Sequence, residues 1–130
     1  MKKFLLLASM FVIGATVMAQ TTKVSDVAKF NEEKHDFGKV KQNVPAVSHF
    51  EITNSSSKPL VIESASASCG CTVPEYPKEP IAPGKSAKIK VQYNAAAIGA
   101  FTKEVYIKLA GIEERKTLYI VGEVVAAGSK

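Results

Sequence analysis

Apolar and polar residues alternate with period two along most of the chain. In "HFEITN", Phe50 and Ile52 lie on one side, and His49, Glu51 and Thr53 on the other. In "SAKIKVQYN", Ala87, Ile89, Val91 and Tyr93 face one way, while Lys88, Lys90 and Gln92 face the other. "FTKEVYIKLA" sets Phe101, Val105, Ile107 and Leu109 on one face. Lys103 interrupts that face near its start, where the stem of the side chain can snorkel to water. "KTLYIVGEV" puts Leu118, Ile120 and Val124 opposite Tyr119, Val121 and Glu123. Leu60, Val61 and Ile62 open another such segment, which runs toward Ser68. Successive side chains of a strand point to opposite faces, so this alternation predicts half-buried strands.

The punctuation between these segments fits short strands. "NSSSKP" is a cluster of turn formers. In "PIAPGKSA", Pro83 presets φ at the second position of a turn and Gly84 allows the positive φ that a type II turn needs next. Gly111 marks a bend between the last two strands, and Gly99 another just before Phe101. Only "KVSDVAKF" resembles a helix, and it is a turn or two at most. Several short strands without helices predict an all-β fold, an antiparallel β-sandwich. A closed five- or six-stranded barrel is the structural alternative. The expected organisation is a signal peptide over 1–19, a flexible lead-in over 20–28, the sandwich over 29–126 and a tail over 127–130.

The N-terminus changes the expected compartment. Lys2 and Lys3 precede an almost unbroken apolar run from Phe4 to Met18, and Val17 and Ala19 place small residues before a cut after Ala19. That is the pattern of a secretory signal peptide, and the run is short for a membrane span of about 20 residues. Export to the periplasm or beyond is therefore expected, with no membrane span in the mature chain. Losing Lys2 and Lys3 lowers the net charge from +5 to +3. The remaining basic residues are spread along the chain, which argues against nucleic acid as a partner.

The candidate chemistry is concentrated in "SASASCGCTVP". Cys69 and Cys71 are the only cysteines, and Gly70 separates them. A staple between distant cysteines across two sheets is excluded by that spacing. Three readings stay open. A disulfide within the pair needs a bend, since residues two apart in a strand are about 6.6–6.8 Å apart, the upper edge of the range for a disulfide. Gly70 permits the bend. Such a bond closes a very small loop and, if strained and exposed, is easily reduced. A dithiolate clip for a soft metal such as copper is the second reading, with His35 and His49 as the only histidines to complete it. Packed or free thiols at a strand end are the third. Elsewhere, His35 and Asp36 are sequence neighbours and point to opposite faces of a strand. Glu113 and Glu114 fall in an expected solvated turn. No nucleophile elbow, phosphate-binding loop or metalloprotease motif occurs, so no catalytic residues are assigned.

The segments "HDFGKV", "FEITN", "KPLVI", "ASCGCTVP", "IAPGKSAKIKVQYN", "GAFTKEVYI" and "LYIVGEV" follow one another in an order and spacing that resemble the bacterial domain-of-unknown-function family 1573. The resemblance spans about Phe30 to Val125 and is most specific at C-G-C-T and the later P-G. It implies a secreted immunoglobulin-like β-sandwich of about seven to eight strands, related to major sperm protein and Hydin-type domains. Asp36, Phe37, Gly38, Asn54, Cys69, Gly70, Cys71, Thr72, Pro83, Gly84, Gly99 and Phe101 match its pattern. One departure is "LAGIEERK", where an asparagine is expected at the end of the preceding strand. The family has no established enzymatic activity, and no cofactor is expected for this chain. The leading expectation is a non-catalytic envelope module that binds a protein or a glycan through a strand edge or end loops. The alternative is a thiol redox or copper-handling protein that uses Cys69 and Cys71.

Overall fold

The computed structural model describes residues 13–16 and 21–128. Lys2, Lys3 and the cut expected after Ala19 lie outside the described residues, and so does the very end of the tail. No helix among the described residues is long and apolar enough to cross a membrane.

Eight strands form two four-stranded sheets. The first sheet contains β1 (Ala28–Phe30), β3 (Ala46–Asn54), β6 (Ser86–Tyr93) and β5 (Thr72–Glu75), side by side in that order. The second contains β2 (Lys34–Lys41), β8 (Arg115–Val125), β7 (Gly99–Leu109) and β4 (Ile62–Ala67). The sheets stay separate, so the fold is a sandwich and the barrel alternative falls. All strand pairs are antiparallel except β2 with β8, which is parallel. Parallel neighbours need a long crossover, and here most of the chain lies between the two strands.

The alternation read from sequence decides what lies between the sheets. Phe50, Ile52, Ile89 and Val91 from the first sheet are fully buried. They meet Val105, Ile107, Leu109, Leu118 and Ile120 from the second, also fully buried. Each such side chain contributes roughly 1.5–3 kcal/mol by leaving water. Lys103 pairs with Ile120 on the inward side and is only partly buried, consistent with a snorkelling stem.

Three expectations need correction. The lead-in over 20–28 is not loose from Val24 onward. Val24–Val27 forms one helical turn, α1, and Val24 and Ala28 are buried in the core. The backbone N–H of Val24 donates to Glu114 Oε2 at 2.9 Å, so Glu114 ties this turn down and is not merely solvated. Directly after the cysteines, Thr72–Glu75 pairs with β6. Pro74 fits there because β5 is an edge strand, where a missing N–H costs no ladder bond on the open side. Finally, Leu60 stands apart from β4 and forms a bridge to Ile81, with mutual backbone hydrogen bonds of 2.9 and 2.7 Å.

Candidate functional site

One end of the sandwich gathers the connections β2–β3, β4–β5 and β6–β7. The register puts Ala46, Tyr93 and Thr72 side by side at that edge of the first sheet. Backbone hydrogen bonds then tie the loops to one another. Asn94 N–H donates to the Cys71 carbonyl at 3.0 Å, and Asn43 N–H to the Ala95 carbonyl at 2.9 Å. Gln42 Nε2 adds a bond to the Ala96 carbonyl at 3.1 Å. Asn43 and Ala95 hold φ of 62° and 55°, a region that costs a non-glycine residue energy and persists only where its surroundings fix it. These loops therefore form one shaped surface.

Cys69, Gly70 and Cys71 are the corner at which the chain passes from β4 in the second sheet to β5 in the first. A disulfide joins Cys69 to Cys71, with the Cα atoms 5.3 Å apart. The bend has shortened the strand spacing to an ordinary disulfide separation. Gly70 does not have positive φ, and a Cβ built on it meets nothing within 4 Å. Its role is thus not the left-handed one that a glycine between two bridged residues suggests. Backbone bonds hold the corner independently of the sulfurs. Ser68 N–H donates to the Glu104 carbonyl at 2.9 Å, and Cys71 carries the bond from Asn94. Loop closure over three residues adds only ~1.6 kcal/mol in the chain-entropy picture. Both cysteines are half-buried, with Cys71 packed against the core. Beneath them sits Thr72, buried, its hydroxyl 4.0 Å from Cys69 Sγ and 3.8 Å from Cys71 Sγ.

The two outer faces of the sandwich differ. On the second sheet, Tyr106 donates its hydroxyl to Glu104, and the Arg115 guanidinium lies 3.9 Å from the centre of the Tyr106 ring. The hydrogen bond to Glu104 is the main cause that raises the Tyr106 pKa above its ordinary value. On the first sheet, Val47 and Val73 flank Gln92 in one outward-facing row beside the loop end. Each valine is about half exposed, at 45% and 51%. Val44 and Ile98, in the adjoining loops, are 52% and 60% exposed. The next row is polar: His49 and Glu75 flank Lys90, and Lys90 Nζ lies 3.8 Å from Glu75 Oε2.

The remaining residues of the family pattern are placed by backbone needs. Asp36 Oδ1 accepts from Gly38 N–H at 2.8 Å, and Gly38 has φ +66° where the β2–β8 register shifts. Phe101 stacks on Tyr93 with ring centres 4.2 Å apart, and Phe37 lies 6.4 Å from it. Gly122 pairs with Phe101, and a Cβ there would come within 2.8 Å of the ring and 2.9 Å of the Gly38 carbonyl. Nothing in the local sequence marks the need for that missing side chain. Beside it is an open depression of about 440 Å³ lined by Asp36, Lys39, Thr102 and Glu123. Pro83 and Gly84 form the expected turn, with Lys85 N–H donating to the Ala82 carbonyl at 3.0 Å and φ +76° at Gly84. Gly99, with φ +120°, opens β7.

Asn54 is fully buried at the end of β3. Its Nδ2 donates to the carbonyls of Lys58 and Ile81 at 2.7 and 2.8 Å. Its Oδ1 accepts from Ser56 N–H and Ser56 Oγ at 2.9 and 2.7 Å. The side chain joins the "NSSSKP" turn to the strand-like bridge at Ile81. His35 bonds Glu32 in the turn before β2, whereas His49 is on the outer face of the first sheet, so the structure does not assemble them with the cysteines. No group of three or more potential metal ligands forms among the described residues.

Comparison of folds finds solved structures that share this architecture. A protein of unknown function from Porphyromonas gingivalis W83 is 16% identical, with a TM-score of 0.65 over 75% of this chain and 46% of that one. The VesB protease of Vibrio cholerae is 17% identical, with a TM-score of 0.61 over 78% of this chain and 33% of that one. A PapD-like domain of human CEP192 is 10% identical, with a TM-score of 0.64 over 88% of this chain and 96% of that domain. This chain thus spans less than half the length of the first two. At such identities the likeness is one of fold, and fold alone assigns no chemistry. Sequence comparison with curated proteins finds no match. The model of the family described as protein of unknown function (DUF1573) matches residues 28–124, and the chain belongs to that family.

Proposed function

We propose that this chain is a non-catalytic, exported interaction module that binds another protein through its apolar loop end. The observation that carries this reading is the gathering of Val44, Val47, Val73 and Ile98 at one end of the sandwich. An apolar centre bordered by charged residues is the anatomy of a protein-binding patch. A glycan is the weaker candidate here. Sugar sites rely on converging polar groups and exposed ring faces, whereas Tyr93 and Phe101 at this end are buried. Strand addition at the edges β5 and β2 is also disfavoured. The edge strand β5 carries Pro74, and the edge strand β2 carries Lys34, Lys39 and Lys41. Proline and lysine blunt an edge against a foreign strand. The signal pattern at Lys2–Ala19 supports export. As for copper, both sulfurs are engaged in the disulfide, so a dithiolate clip requires reduction first.

Affinity capture from the native envelope tests the proposal. Wild type and Glu113→Ala should retain the same partner, and the double variant Val47→Asp/Val73→Asp should lose it while keeping a wild-type circular dichroism spectrum. Equal capture by all three proteins refutes the apolar end as the binding surface.

A further inference from the structure

We infer that the Cys69–Cys71 bond is an exchangeable disulfide that accepts electrons from an external dithiol without unfolding the domain. This goes beyond the interaction reading and does not depend on it.

Four observations converge. The corner keeps its backbone hydrogen bonds through Ser68, Cys71 and Asn94, none of which uses a sulfur atom. Opening the bond therefore leaves both sheets paired. The bond is within reach of solvent, because both cysteines are only partly buried and Gly70 between them is exposed. The two cysteines also differ: Cys71 packs against the core, whereas Cys69 is not part of that packing. Lastly, Thr72 is a buried residue whose hydroxyl has the two sulfurs as its hydrogen-bond partners. A buried donor aimed at sulfur stabilises a thiolate, and so favours that sulfur as a leaving group.

The exchange follows from this asymmetry. A thiolate of the incoming dithiol attacks Cys69 Sγ, forming one S–S bond and breaking Cys69–Cys71. Cys71 departs as a thiolate, with the Thr72 hydroxyl donating to it from 3.8 Å in the oxidised form. The second thiol of the reagent loses its proton and attacks the mixed disulfide at its own sulfur. That step releases Cys69 and completes the reagent's disulfide. Two electrons and two protons pass from the dithiol to the cysteine pair, and no other oxidant or reductant takes part. Thr72 acts as a positioning residue for the departing sulfur.

Native protein is to be incubated with dithiothreitol without denaturant, acid-quenched, alkylated and weighed. Reduction should finish with the circular dichroism spectrum unchanged. A single-thiol reagent should give a mixed disulfide that peptide mapping places on Cys69. Thr72→Val should slow the exchange roughly tenfold, as expected for loss of a donor to a thiolate. Thr72→Ser, which keeps the hydroxyl, should restore the wild-type rate and separates that role from packing. Reduction that occurs only in denaturant, an adduct on Cys71, or equal rates in wild type and Thr72→Val would each overturn the inference.

Discussion

Replacing Asn54 by alanine removes four hydrogen bonds from a fully buried side chain. A hydrogen bond contributes about 0.5–1.5 kcal/mol net, so the four together span roughly 2–6 kcal/mol. Two losses are softened. The Ile81 carbonyl still accepts from Leu60 N–H, and the Lys58 carbonyl still accepts from Ser56 Oγ. Ser56 N–H has no such substitute. The expected cost of Asn54→Ala is therefore about 3 kcal/mol, a large share of the 5–15 kcal/mol that holds an ordinary domain. With a urea slope of about 1.5 kcal/mol/M, the midpoint should fall by roughly 2 M. Asn54→Asp keeps the size and the acceptor but turns an oxygen toward the two carbonyls, so it should cost at least as much. Urea unfolding followed by circular dichroism measures both. A loss of less than 1 kcal/mol for both variants would refute the view that Asn54 ties the two turns together.

Ile89→Ala should cost about 2–5 kcal/mol, and its outward neighbour Lys90→Ala no more than about 0.5 kcal/mol, by the same unfolding measurement. Gly122→Ala should cost about 1–3 kcal/mol through overpacking against Phe101 and the Gly38 backbone, with Gly111→Ala as a comparison for positive φ without a clash. Replacing both cysteines by serine should shift stability by no more than roughly 2 kcal/mol. Gly70→Val should be close to neutral, since Gly70 has neither positive φ nor a neighbour in the way. Protein recovered from the envelope should begin at Gln20 by intact mass, and a species that still carries Met1 would contradict export by cleavage.

The sheets were legible because period-two patterning is a local signal: Ile89 and Val91 report their face through the lysines between them. Turn chemistry was local too, as Pro83 and Gly84 show. What escaped the sequence depends on distant partners. Asn54 matched a family pattern, but its burial rests on a carbonyl 27 residues away, at Ile81. Strand β5 was hidden because Pro74 reads as a breaker until its position at an edge is known. Nothing local marks Val47 and Val73 as neighbours. Their shared row is set by Gln92 on a third segment of chain. Gly122 was equally silent, because its need for no side chain comes from Phe101 and Gly38. The cysteines are conspicuous in the sequence, but whether they bridge depends on a bend that three residues of sequence do not specify.

Site-specific photocrosslinking in the native envelope tests the proposed binding end most directly. A photoreactive residue at Val73 should give a discrete protein adduct, and one at Glu113, on the connection between β7 and β8, should give none. An adduct of equal yield at Glu113, or none at Val73 in protein that is folded and exported, would contradict binding through the apolar loop end.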